Sequence, residues 1–290
     1  MEYQKEMDEK ITITISGTAM DANLGYELRY LMNFLTSIEN QIEKTYLFSY
    51  DKTRMSEEDY QNLKVIMSKT RVRSFEADIF IQLQQTVIAL IPLLANDGQA
   101  IWEIIKKSYE YLKLVIDTRK EGKEVEITQD GDGIIVTGNN NNITINKHVP
   151  ALSKDLSPSF SKMANNIDGD KIKQVNFSST KDSDIELTEE DKERFKSKTL
   201  LFEETVTVDG EIVASDFERY RGNIKVFPDQ ELPSEIFSFE VANEIKDKQI
   251  FKNSYLSNVR VKCQQRVKID PTKEEMTETI GLKILDIELI

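Results

Sequence analysis

Apolar and polar residues alternate strictly at Ile11, Ile13 and Ile15 against Thr12, Thr14 and Ser16, the period of a half-buried strand. Gly17 ends the alternation, and Asp21 is placed to cap a following helix. In that helix Leu24, Leu28, Leu31, Leu35, Ile38 and Ile42 recur at steps of four and three, which predicts a single apolar stripe. Packing on a sheet of the same domain is the first use expected of the stripe, and a helix seam in a dimer is the second. Ser56 followed by Glu57, Glu58 and Asp59 signals another helix start. Period two returns at Phe75, Ala77, Ile79, Ile81 and Leu83, with only Phe80 interrupting the polar side.

Residues 86–95 are apolar throughout and contain Pro92. They fall well short of the ~20 residues that cross a bilayer, so a short buried helix kinked at Pro92 is expected in preference to a membrane-seeking hairpin. A helix is predicted over 99–119, with Ile101, Ile104, Ile105, Leu112, Val115 and Ile116 inward and Gly122 as its stop. Residues 123–149 then read as hairpins: Val125 and Ile127, Ile134 to Val136, and Ile143 with Ile145, separated by glycine-rich turns. Residues 150–170, rich in Ser and Pro, read as a linker arm in which Ala151, Leu152, Leu156, Phe160 and Met163 are sparse anchors.

The remainder is mostly strand. Thr188-Glu189-Glu190-Asp191 signals one short helix, and Asp209-Gly210 between two apolar runs signals a hairpin. Val259, Val261 and Cys263 share a face that Val267 and Ile269 continue. The apolar phase of the last strand slips between Ile284 and Leu285, which predicts a bulge. The fold class expected is α+β: an N-terminal mixed domain over 1–149 with long amphipathic helices, the arm over 150–170, and over 171–290 a mostly-β small barrel or twisted sheet.

Charge changes the functional picture more than the fold. With 51 acidic and 38 basic residues the chain carries −13, which disfavours general phosphate binding. The charged first ten residues do not form a signal peptide, and the single cysteine allows no intrachain disulfide; a cytoplasmic setting and no membrane partner are expected.

Candidate chemistry is sparse. One histidine (His148) and one cysteine (Cys263) do not make the common zinc sets. The pair Asp130 and Asp132 lacks the later ligands of a calcium loop, as do Asp168 and Asp170, so both read as turns. No glycine-rich turn runs into Gly-Lys-Ser/Thr, and Gly131-x-Gly133 opens a strand where a dinucleotide site needs a helix. No catalytic, cofactor-binding or metal-binding residue is therefore named, and no cofactor is expected. Arg219, Tyr220 and Arg221, or Arg260, Lys262 and Arg266, could present a nucleic-acid surface; alternating cations are more often the solvated side of a strand.

The order of elements itself carries a resemblance. A leading strand, the helix over 24–42, the strand around Ser74-Phe75-Glu76-Ala77-Asp78, Ile91-Pro92-Leu93-Leu94, the helix to Gly122 and the Gly/Asn-rich hairpins follow one another. This order resembles that of uncharacterised proteins recurring in bacterial genomes and prophages, which continue into a C-terminal β domain. The resemblance implies no catalytic residues. In its Lys/Asn/Ile-rich composition and two-domain plan the chain is also similar to phage inhibitors of bacterial defence such as the anti-Gabija proteins, which wrap a host complex. The expectation is a non-enzymatic, homo-oligomeric interaction protein of phage or mobile-element origin that binds and inhibits a bacterial defence complex. A nucleic-acid binder using the C-terminal β domain is the alternative, and a hydrolase built from carboxylates is a third reading.

Overall fold

The computed structural model describes residues 7–21, 23–71, 75–83, 101–130, 133–138, 141–179, 184–245, 248–271, 273 and 276–290. The apolar run at 86–95 and the turn residues Gly131 and Asp132 lie outside them. The architecture is α+β, and the chain divides into two compact units. One comprises Met1–Asp117, Val125–Lys196 and Pro271–Glu274; the other comprises Thr118–Glu124, Ser197–Asp270 and Glu275–Ile290.

In the first unit, strand β1 (Met7–Ser16) is followed by the short β2 (Met20–Asp21) and β3 (Gly25–Tyr26) and then helix α1 (Leu28–Ser49). Next come the short α2 (Glu57–Asn62), β4 (Leu63–Arg71), β5 (Phe75–Leu83) and α3 (Ile101–Lys120). The hairpins predicted over 123–149 form a three-stranded sheet of β6 (Glu126–Asp130), β7 (Gly133–Gly138) and β8 (Asn141–Asn146). Helix α4 (Val149–Asn165), β9 (Gln174–Ser178), β10 (Ile185–Leu187) and α5 (Glu189–Phe195) complete the unit.

Its main sheet has the order β10-β9-β1-β5-β4, every pair antiparallel. The alternation of β1 and β5 does what it predicted. Ile11, Ile13 and Ile15 stand opposite Ile79, Ala77 and Phe75, all buried. On the other face Asp78 accepts from Thr12 Oγ1 at 2.9 Å and pairs with Lys10 at 2.9 Å. Helix α3 lies on the apolar face, its Trp102 ring 5.9 Å from that of Phe177 on β9. Glu9 of β1 closes the start of that helix, its carboxylate accepting from the amides of Ile101 and Trp102 at 2.8 and 2.9 Å.

Residues 150–170 are not an arm. Most of them form α4, which packs along α1 and buries Leu152, Leu156, Phe160 and Met163 on one stripe. Pro150 sits in the first turn, where a missing amide costs nothing, and Ser153 returns its hydroxyl to the carbonyl of Val149 at 2.6 Å. Local propensity, which favours loop for Ser and Pro, is outweighed by apolar burial. The expected boundaries at 149/150 and 170/171 shift accordingly. β9 pairs with β1, in register from Thr12 opposite Ser178 to Ser16 opposite Gln174.

The second unit is a closed barrel, the tighter of the two forms expected. Its strands are β11 (Lys198–Asp216), β12 (Arg221–Val226), β13 (Ile236–Val241), β14 (Asn258–Ile269) and β15 (Thr277–Leu289), with a short helix α6 (Lys248–Asn253) between β13 and β14. The order around the barrel is β11-β12-β13-β15-β14, and β11 closes it by pairing with both β12 and β14. Only β13 and β15 run parallel. This strand order makes it a five-stranded Greek-key barrel, the arrangement that OB-type barrels also use. Val208, Ile224, Phe239, Val261, Cys263 and Ile284 fill it, and Phe251 of α6 plugs it.

The hairpin expected at Asp209-Gly210 does not form; β11 runs straight through. Asp209 instead reaches across to Arg260 of β14, accepting from Nε and Nη2 at 2.8 and 2.9 Å. Gly210 lets β12 approach: a Cβ there would lie 2.6 Å from the carbonyl oxygen of Lys225. The bulge in the last strand is present. Lys262 pairs with Asp286 and Cys263 with Ile284, leaving Leu285 over.

The capping box anticipated at Ser56 becomes a buried hub. Asp59 accepts from Ser56 N at 2.9 Å, Ser56 Oγ at 2.6 Å, Tyr46 Oη at 2.9 Å and Lys52 Nζ at 2.7 Å. Burial alone would raise its pKa, but the bonds from Lys52, Ser56 and Tyr46 outweigh that and hold the carboxyl well below the ordinary range. The unfolded chain takes up this proton at about pH 3.9 and the folded chain only at lower pH. The stabilisation is therefore present above about pH 4 and lost as pH falls below it. We expect Asp59→Asn to cost about 1–3 kcal/mol at neutral pH, and the deficit to shrink in acid. Urea midpoints of both proteins, followed through the sole tryptophan, Trp102, test this; a pH-independent deficit would contradict it.

Candidate interaction surface

The α1 stripe divides in two. Leu31, Ile38 and Ile42 are buried as expected, joined by Phe34 and Tyr46. Leu24 and Leu28 are not: they are 83% and 69% exposed, and Met32, one turn beyond Leu28, is 52% exposed. At 100° per residue Leu28 and Met32 are 40° apart on the helix, while Leu31 lies 60° to the other side of Leu28. The periodicity of the sequence joins Leu28 to the buried line and leaves Met32 out of it. Asp21 does not cap this helix. Its carboxylate accepts from Asn23 N at 2.8 Å, and Glu27, at the cap position, makes no side-chain cap bond. Leu24 thus sits in the turn ahead of the helix, its amide bonded to the carbonyl of Asp21 at 3.1 Å.

Leu28 and Met32, one turn apart on α1 and both more than half exposed, leave an apolar strip on the helix surface, and Leu24 adds a third exposed apolar side chain in the turn ahead of it. Beyond them the same helical line continues as Thr36, Glu39 and Glu43. Burial, and next the nearby charge of Glu39, push the Glu43 carboxyl above its ordinary range.

A concavity of about 430 Å³ lies between α3 and β8 and is lined by Tyr109, Glu110, Lys113, Asp117, Asp184 and Glu186. Its acids are engaged in structure. Asp117 accepts from Arg194 Nε at 2.8 Å, and Glu110 pairs with Lys107 at 2.8 Å. Asp184 accepts from Trp102 Nε1 at 2.9 Å, from Ser179 N at 2.6 Å and from Lys106 at 3.3 Å. Tyr109 donates to Asp191 at 2.9 Å; burial first and the Asp191 charge second hold its hydroxyl protonated far above its usual range. Among the described residues no group of three or more His, Cys, Asp or Glu could hold a metal ion.

The other residues singled out in the sequence are dispersed. His148 is exposed at the start of α4. Cys263 is in the barrel core, and burial pushes its thiol up to about 11, which leaves it protonated and inert. Asp168 closes a turn, accepting from the amides of Asp170 and Ile172 at 3.1 Å each. On the barrel Tyr220 packs its ring on Phe251, 5.8 Å between centroids, so it is not a platform for bases. Arg260 is held by Asp209, Arg221 and Arg266 share Glu240 at 3.4 and 3.6 Å, and Lys262 stands opposite Asp286. The cationic face of β14 is thus interleaved with carboxylates.

The structure therefore exposes Leu24 and Leu28, which the periodicity assigns to the apolar stripe, and beside Leu28 on the helix surface Met32, which the stripe does not include. The available signal was the i, i+4 spacing of Leu28 and Met32, offset from the buried line through Leu31. Compared with family models, curated proteins and solved structures, the chain matches none.

Proposed function

We propose that this chain is a non-enzymatic, cytoplasmic interaction protein that docks on a larger protein partner through Leu24, Leu28 and Met32. The exposure of those three side chains carries the reading. Covering each would contribute roughly 1.5–3 kcal/mol, enough together to anchor an interface of ordinary size. For the partner, the sequence resemblances favour a bacterial defence complex such as Gabija, met by a phage- or mobile-element-encoded inhibitor that also self-associates.

The test is capture of a defence complex co-expressed with the full chain, comparing the natural protein with Leu28→Asp/Met32→Asp. Both sites face solvent, so unchanged Trp102 fluorescence serves as the fold control. We expect at least a tenfold loss of capture. Equal capture by the two proteins would remove the patch from the interface.

A second reading, single-stranded nucleic-acid binding, is favoured by the Greek-key barrel, whose β12 carries Arg221, Asn223 and Lys225 outward. The paired state of Arg221, Arg260 and Arg266 weighs against it. Filter binding to single-stranded DNA across a salt series separates the two: the docking reading expects no retention even at low salt.

A further inference from the structure

The line of residues on the outer side of α1 changes character along its length, and this points to the chemistry of what lands there. Leu28 and Met32 give an apolar stretch, with Leu24 exposed in the turn ahead of the helix, and Glu39 and Glu43 continue the helical line after Thr36. Glu39 and Glu43 are four residues apart, an arrangement that costs a helix a few tenths of a kcal/mol in like-charge repulsion. The two cations of α1 itself are engaged elsewhere. Lys44 donates to the carbonyl of Asp155 at 2.6 Å, and the Arg29 guanidinium lies over the Tyr30 ring at 5.6 Å. The helix also has no basic side chain in its last turn to balance its negative end. Glu43 is half-buried, so the repulsion acts where water screens it incompletely.

We propose that the outer face of α1 receives a basic amphipathic helix of a partner protein, apolar anchors covering Leu28 and Met32 and Lys or Arg side chains meeting Glu39 and Glu43. This rests on the docking reading above and adds the partner's chemistry to it. Two carboxylates beside an apolar stripe select cations at a fixed offset from the anchors, about two turns away along the helix. A cation placed there removes the repulsion and gains two ion pairs. An acidic or neutral helix with the same apolar face would leave the repulsion in place.

The test uses the full chain and synthetic helical peptides of about five turns, labelled for fluorescence anisotropy. One peptide carries leucines on one face with lysines two turns on; the second replaces those lysines by glutamates. We expect the lysine peptide alone to bind, and Glu39→Gln/Glu43→Gln to weaken it roughly five- to tenfold and flatten its salt dependence. The charge-swapped pair, Glu39→Lys/Glu43→Lys with the glutamate peptide, should recover binding. Indifference to the glutamine variants, with Leu28→Asp still abolishing binding, would overturn the basic partner and leave the docking face standing. Binding that survives Leu28→Asp would overturn both. Light scattering that shows a dimer lost in Leu28→Asp, with no peptide bound, would make the occupant a second copy and overturn the proposal.

Discussion

Replacing Arg194 by alanine is expected to destabilise the first unit by about 3–5 kcal/mol, the cost of stripping one partner from a buried ion network. Arg194 on α5 is 9% exposed and divides its three nitrogens among three carboxylates. Nε donates to Asp117 of α3 at 2.8 Å, Nη2 to Glu190 at 3.0 Å, and Nη1 to Asp191. Asp191, 4% exposed, also receives the Tyr109 hydroxyl and closes the α5 capping box through Thr188. Without the guanidinium, the buried Asp191 keeps neutral donors only. Lysine should not rescue, because one ammonium cannot reproduce a fork that serves three acids. Urea unfolding followed by Trp102 fluorescence reads the effect within this unit. A loss under about 1 kcal/mol would show that water reaches Asp191 and that the network is ornamental.

Gly17→Ala is expected to be comparably severe, about 3–4 kcal/mol, from backbone conformation and collision together. Gly17 has φ +138°, a region closed to residues with a Cβ, and an added Cβ would lie 2.1 Å from the carbonyl oxygen of Lys171. Nothing can yield cheaply, because the obstructing atoms belong to backbone fixed on both sides. Thr18 N donates to Asp170 O at 3.0 Å, Ala19 N to Lys171 O at 3.0 Å, and Lys173 N to Ser16 O at 2.8 Å. Gly25, at φ +89° with open space around it, is the control. Alanine there should cost less than half as much, since only the conformational part applies. Equal losses at the two glycines would mean that the contact with Lys171 relaxes freely.

What the sequence made legible, and what it hid, follows from where burial is one-sided. β1, β5 and β14 each put one face in a core, so period two is printed in them. A bulge shifts that period, which is why Leu285 could be found. β4 escaped notice because it lies at the sheet edge, where Ile66 and Met67 stay 42% and 49% exposed and no strict alternation is enforced. α4 was hidden by Ser and Pro, whose local preference for loop gave way to the pull of Leu152, Leu156 and Phe160. At Asp209-Gly210 the turn signal was real chemistry put to another use, an ion pair and a close strand approach. The interaction surface was the hardest to see. Leu28 and Leu31 are both leucine, and only three-dimensional packing tells the one that faces water from the one that does not.

The long strand β11 also governs how the barrel comes into being. Its register partners on β14, such as Val261 opposite Val208, are synthesised dozens of residues after it. A nascent chain leaving the ribosome therefore carries β11 with one flank unsatisfied until β14 has emerged, and the hairpin with β12 shields only its last third. The barrel must close late and nearly all at once, paying the entropy of a large loop before long-range pairing offsets it. In the interval Val206 and Val208 are open to stray pairing, so slow translation across β12 and β13 should raise the demand for chaperones more than the same delay in the first unit's hairpins, whose strands are near neighbours in the chain.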